Sequence, residues 1–430
     1  MPAKSSVLSR IKNKVKTTKS INSNQYIVGL DIGTEFVKAL VARAEGENLE
    51  IIGVGRKHQE YTDMQAGAIA DIGAVVANCD TALTEAEQQA GVSARTAVIG
   101  IAGELVKGTT KTVRCTRKNS SKPIDVEEME RIIGLVQQRA ERKAKQDLAW
   151  EMGGKDVEIR LVNSALVGLE IDGYKVTNPV GFPGKDVVVQ LYTAFAPLVH
   201  IGAMERAAQD LDLELLAVAA EPFAVARSVV GNDPNANVSA ILMDVGGGTT
   251  DIAVVNEGGV QGTKMFGIGG RAFTHAIERD LGINFDEAEE LKVGLGSGRL
   301  PHNQKLAVEH ALIKTAEVWL SGVELALGEF TKLEHLPNRI LLCGGGSSLE
   351  ILIDTLRKSD WYMNLPFTKK PVYQHIKLEQ VVGIVDKTGD LADHTFVTAM
   401  GLLRVGMDTL LQDNASAGSV KDKIDKILRV

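Results

Sequence analysis

Cysteine is scarce: Cys79, Cys115 and Cys343 are the only three in 430 residues. They are odd in number, widely separated and form no CxxC pair, which excludes a disulfide framework and a zinc site and fits a reducing cytosol. The eight histidines show no HExxH or other ligand spacing and read as surface or core residues. No apolar run approaches the roughly 20 residues of a membrane-crossing helix. The basic start also lacks the apolar stretch of a signal peptide, so neither insertion nor export by these routes is expected. Positive charge is not in excess: a formal charge of -7 argues against a general nucleic-acid coat, and no nucleic-acid partner is expected.

Glycine, by contrast, is plentiful: 43 residues are spread along the chain without a repeat, beside 44% hydrophobic and 24% charged residues, as in a folded globular protein. The length of 430 residues allows two or three lobes, each with its own core. An internal resemblance links residues 26–55 with 239–270. In the first stretch, apolar Ile27, Val28 and Leu30 meet Asp31-Ile32-Gly33-Thr34, followed by an apolar run over 36–41, a polar turn at 45–48 and a third run over 51–54. In the second, 241–243 meets Asp244-Val245-Gly246-Gly247-Gly248-Thr249-Thr250, followed by 252–255, a turn at 256–259 and a third strand. Both read as strand, tight turn, strand, turn, strand, which implies two lobes of similar architecture.

Between and after these modules, periodicity and capping signals predict helices over 71–90, from Asp125 onward, and over 202–211, 223–230, 272–281, 285–293, 306–331 and 395–403. Strands are predicted over 98–106, 187–195, 215–218 and 340–342, with two extended segments within 157–171. Residues 94–184 read as a small inserted α+β domain, and a polar stretch at 412–418 separates the body from a last amphipathic piece.

A triphosphate carries dense negative charge, so its site needs backbone N–H donors at close approach, which glycine turns supply. Gly33 and Gly246, Gly247 and Gly248 meet that need, and Thr34, Thr249 and Thr250 add hydroxyl donors. Asp31 and Asp244 would repel phosphate unless a cation lies between them. Magnesium, which keeps much of its water shell and takes one or two carboxylates, fits that role through water. Lys38, seven residues past Asp31 on the second strand of the hairpin, is placed to return a compensating charge. Either Asp-Gly turn alone is an ordinary hairpin signal. Two at equivalent places, with a third glycine turn at Gly344, Gly345, Gly346 and Ser347, point to ATP with Mg2+.

Taken together, the three turns resemble the phosphate-1, phosphate-2 and adenosine motifs of the actin, Hsp70-chaperone and sugar-kinase superfamily. Within it the chain is most similar to the FtsA family of bacterial cell-division proteins, over about 26–405, including the connecting segments at Glu221-Pro222 and Thr398-Ala399-Met400-Gly401. The resemblance implies an α/β fold: actin-like, duplicated ribonuclease-H-like lobes around an ATP cleft, with a small inserted α+β domain of the family's 1C type. It divides the chain into lobe IA (26–93 and 185–231), the insert (94–184), lobe IIA (238–270 and 335–405) and a shortened subdomain IIB (271–334). Tails at 1–25 and 411–430 flank this body. It places Glu289 and Lys292 against ribose and adenine, although such residues also occur as an exposed helical charge pair. Glu221 either positions an attacking water or simply opens a packed helix. The implied protein binds Mg-ATP with weak or no hydrolysis, polymerises with itself, and tethers the ring of the tubulin-like protein FtsZ alongside other division proteins. Its expected location is cytoplasmic, peripheral on the inner face of the cell membrane at the division site.

Both tails carry candidate membrane contacts. Val420, Ile424, Ile427 and Leu428 recur at helical spacing among lysines and arginine, resembling the membrane-targeting helix of the family. Val7, Leu8, Ile11 and Val15 cluster among six basic residues, with no acid in the first 30. Each cation near an anionic membrane surface contributes about 1 kcal/mol. Alternatively, each tail is a solvated segment or a helix for another protein. Two rival readings share the fold: PilM, the actin-like scaffold of type IV pilus assembly, and an ATP-dependent small-molecule kinase.

Overall fold

The computed structural model describes residues 25–46, 48–65, 67–103, 106–231 and 237–413. Val7, Leu8, Ile11, Val15, Val420, Ile424, Ile427 and Leu428, the candidate membrane contacts, lie outside the described residues.

The first lobe opens with a meander of β1 (Tyr26–Ile32), β2 (Phe36–Glu45) and β3 (Asn48–His58), then a two-residue hairpin of β4 (Met64–Gln65) and β5 (Ala68–Ile69). Helix α1 (Ile72–Ala90) starts where the Asp71 carboxylate accepts the Ala74 amide at 3.0 Å and stops at Gly91 in the left-handed region. After it come β6 (Thr96–Ile101) and, beyond the insert, α3 (Leu198–Asp210), β11 (Glu214–Ala220) and α4 (Glu221–Val230). The insert consists of β7 (Lys107–Thr116), α2 (Val126–Glu151), β8 (Ile159–Ile171), β9 (Tyr174–Lys175) and β10 (Asp186–Pro197).

In the second lobe, β12 (Ala240–Val245), β13 (Thr250–Asn256) and β14 (Gly259–Phe266) lead into three helices, α5 (Gly270–Leu281), α6 (Phe285–Gly296) and α7 (His302–Gly328). The chain then continues through β15 (Arg339–Cys343), α8 (Glu350–Lys358), β16 (Val372–His375), β17 (Ile384–Asp386) and α9 (Val397–Asp413).

The duplication appears in the strand order. The first sheet runs β11-β6-β1-β2-β3-β17, and the second begins β16-β15-β12-β13-β14. In each, the first strand is antiparallel to the second and parallel to the fourth. Such an order buries the first strand between neighbours; all six residues of β12 and six of seven in β1 are buried. The equivalent helices α4 and α9 pack together between the sheets, where Phe223, Ala224 and Val225 share a core with Val397, Ala399 and Met400. The two lobes therefore meet through helices that open directly onto their strand ends.

The insert extends the second lobe's sheet: β14 pairs with β7, which continues through β10, β8 and β9. Two boundaries differ from the sequence reading. Residues 96–101 form β6 inside the first lobe's sheet, because the run Thr96–Ile101 is buried on both faces and only a central position serves it. Residues 186–197 form β10, paired with β7 and β8 of the insert and covered by Met129, Ile133 and Val136 of α2. Residues 157–171 hold a single strand, not two; β8 slips in register against β10 at Gln190/Leu191 and Ala194/Phe195, and these irregularities interrupt the alternation that marks a strand. Among the described residues, no helix is long and apolar enough to cross a membrane.

Candidate functional site

The repeated hairpins put their turns at the same end of both sheets. The Gly33 amide donates to Phe36 O at 3.1 Å, and the Gly246 amide donates to Thr249 O at 2.9 Å, the same closure three residues on. Below the turns, Asp31 stands opposite Lys38 across β1 and β2, as Asp244 stands opposite Asp251 across β12 and β13. Lys38 donates to Asp31 at 3.1 Å with both side chains largely buried. Burial opposes the Lys38 charge, but Asp31 and Asp244 outweigh it and raise its pKa; the lysine thus feels an aspartate from each lobe.

Asp244 accepts from the Thr398 hydroxyl at the start of α9, while burial pushes its carboxyl pKa up. The third glycine turn closes over it. Gly344 has φ +78, and a Cβ there would lie 2.0 Å from Asp244 Oδ1, so both conformation and contact require glycine. Ser347 in the following turn is buried and donates to Gly344 O at 2.7 Å, which holds Gly345 and Gly346 in a single 3-10 turn.

Glu221, the first residue of α4, completes the cluster. Burial raises its pKa well above the usual value, helped by Asp31, Asp251 and Asp244. Asp251 is likewise raised well above its usual value by burial and by Asp244. Among the described residues, Glu221 Oε1 and Asp251 Oδ1 have no hydrogen-bond partner. Four carboxylates thus face one ammonium, an arrangement that calls for protons or a further cation. Among the described residues, no group of three or more His, Cys, Asp or Glu side chains is arranged to hold a metal ion directly.

Thr34 and Thr249 are buried at the facing turns. The Thr250 hydroxyl is already engaged, donating to Ile268 O at 2.7 Å and accepting from Trp319 Nε1 at 2.9 Å, so its role is to anchor β13. Lys292 donates to Glu289 at 2.6 Å, to Thr274 Oγ1 at 2.8 Å and to Gly270 O at 3.1 Å. Since the Gly270 amide donates to Gly246 O at 2.9 Å, this pair is tied to the second glycine turn. Sequence reasoning placed Asp251 at the end of the second motif without a role and passed over Arg271. Asp251 is signalled by its seven-residue offset from Asp244, the same as that of Lys38 from Asp31. Arg271, at the start of α5, has no motif to mark it.

A family model described as cell division protein FtsA matches residues 241–401. The chain is 28% identical over 278 residues to cell division protein FtsA of Pseudomonas aeruginosa, covering 64% of this chain and 62% of that protein. It is 28% identical over 283 residues to FtsA of Bacillus subtilis, covering 64% and 59%. Across 394 residues it is 25% identical to FtsA of Enterococcus hirae, covering 85% and 84%. It therefore spans about three fifths of the first two relatives. Among solved structures, a chain of the PilM-PilN type IV pilus biogenesis complex superposes with TM-score 0.62 at 18% identity, covering 89% of this chain and 98% of that one. In sequence this chain is similar to cell division protein FtsA, and its fold is the actin-like α/β fold.

Proposed function

We propose that this chain is an FtsA-like actin homologue that binds Mg-ATP between its lobes, polymerises, and tethers an FtsZ-type division ring to the cytoplasmic face of the membrane. The observation that carries the nucleotide part is the meeting of Asp31 and Lys38 from one hairpin with Asp244 and Asp251 from its duplicate, beneath three glycine turns. When bound, magnesium neutralises phosphate charge beside these carboxylates. Asp31 and Asp244 hold its water shell, and Lys38 offsets phosphate charge. Gly33 and Gly246, Gly247 and Gly248 lend amides, with Thr34 and Thr249 adding hydroxyls. Gly344, Gly345, Gly346 and Ser347 form the wall on the nucleoside side, while Glu289 and Lys292 stand where ribose and adenine are expected. Glu221 is the candidate for orienting water. Burial, helped by the neighbouring aspartates, raises its pKa well above the usual carboxylate value, which opposes its acting as a base.

Filament formation, the FtsZ-type partner, other division proteins and peripheral membrane attachment rest on the FtsA likeness together with the tail patterns. Two marginal tails on each subunit would hold a filament firmly through multivalency. A PilM-like scaffold is the second reading, favoured by the superposition that covers 98% of the PilM-PilN complex chain. Co-sedimentation with anionic vesicles, with and without ATP, tests the function on full-length protein and on deletions of 1–20 and 419–430. ATP-dependent filaments on vesicles, weakened by the deletions, are expected. Equal pelleting by all forms would remove the tail attachment, and absence of filaments would favour the scaffold.

A further inference from the structure

The two phosphate-facing turns touch. A Cβ placed on Gly248 would lie 2.8 Å from Thr34 Oγ1, and one on Gly247 3.0 Å from Glu35 Cβ. A phosphoryl group gripped from both sides needs its donors separated by roughly 5–6 Å, two hydrogen-bond lengths. At Gly247 and Gly248 the facing turns leave no such gap.

One residue ties them. The Arg271 amide donates to Gly247 O at 2.8 Å, so its backbone belongs to the second turn. Its guanidinium crosses to the first lobe, where Nη2 donates to Thr34 O at 2.8 Å, Nε to Glu35 Oε2 at 2.8 Å and Nη1 to Tyr61 O at 3.2 Å. Arg271 is 8% exposed. Glu35 is held from its other oxygen by His58 Nε2 at 2.8 Å. Outside the guanidinium, the Tyr61 ring of the first lobe meets His275 and Phe285 of the second edge-on, at 5.7 and 5.5 Å. A planar fork of five donors can serve three acceptors at once in this way, whereas an ammonium on a flexible stem cannot hold the same geometry.

We propose that Arg271 is a positioning residue of the nucleotide cleft: a latch that holds the two glycine turns together until nucleotide arrives, and that must release Thr34 and Glu35 before phosphates can pass. This rests on the nucleotide reading above. The latched form does not bind, so apparent affinity and association rate are both scaled by the fraction of molecules in which the latch is open.

The test is stopped-flow binding of a fluorescent ATP analogue with magnesium, alongside calorimetry with Mg-ATP, on the full chain. Arg271→Ala is expected to associate about tenfold faster and to bind more tightly than the parent. Arg271→Lys, which keeps the charge and loses the fork, should follow the alanine variant; recovery of the parental rate by lysine would overturn the latch and leave a simple charge role. Glu35→Gln removes one charged arm and keeps the rest, so a smaller rise in rate is expected, which keeps the test open should the arginine variants not fold. Binding by all proteins at an unchanged or slower rate overturns the latch alone. No binding by any of them, parent included, overturns the nucleotide reading and the latch with it.

Discussion

Replacing Asp251 with asparagine removes a buried acid whose Oδ1 has no partner among the described residues. In the fold its pKa is raised well above the ordinary 3.8 by burial and by Asp244. As pH rises past 3.8, the unfolded chain releases this proton while the folded chain keeps it, so stability falls until the raised folded value is passed. Each such proton tilts stability by about 1.4 kcal/mol per pH unit over that window. Asparagine has no such proton, while its amide leaves a polar group in the same buried place, so the unpartnered-atom cost is common to both proteins. The Asp251→Asn protein is therefore expected to be more stable than the parent near pH 8 without magnesium by at least one pH unit of that slope, about 1.4 kcal/mol, with the gain shrinking toward pH 4. Urea unfolding followed by tryptophan fluorescence, in chelator, at intervals across that range measures the difference. Glu221 titrates in the same direction, so the slope should flatten and not vanish. Parallel stability curves for the two proteins, with no gain at high pH, would refute the reasoning.

Gly344→Ala places a Cβ 2.0 Å from Asp244 Oδ1 at a backbone with φ +78, and should cost about 1–3 kcal/mol from conformation alone in a denaturant melt. It should also abolish nucleotide binding. Arg117→Ala removes a buried guanidinium that holds Glu128 at 2.8 and 2.9 Å and the Gly184 and Lys122 carbonyls, each at 2.8 Å. A loss of about 3 kcal/mol is expected, read as faster proteolytic cutting within the insert.

The paired hairpins were legible because the same chemistry occurs twice: alternation, an Asp-Gly turn and a polar second turn each carry little information alone, but their recurrence at 31 and 244 does. Asp125 announced its helix for a local reason, since its carboxylate accepts the Glu128 amide at 2.8 Å. The insert was harder to read. Strand β7 is mostly polar, with Lys, Thr and Arg along it, because one side of its sheet meets solvent, and β8 loses its period at two register shifts. Its neighbour β10 looks like any buried strand until its partners are known, so the chain pattern cannot tell which sheet it joins. Arg271 was illegible for a different reason. Its importance comes from Thr34 and Glu35, more than 200 positions away. Helix α9 runs to Asp413, ten residues beyond its expected end, because Leu410 and Met407 on its later turns are buried against the same core as its start.

In the function proposed above, carboxylates from the duplicated hairpins converge on one metal-bound nucleotide. Titration calorimetry of Mg-ATP into the parent, Asp31→Asn and Asp244→Asn proteins, each with an unchanged circular-dichroism spectrum, tests it most directly. Saturable one-site binding by the parent is expected, with a loss of at least about tenfold in affinity for each variant. Parental affinity in both variants would contradict it.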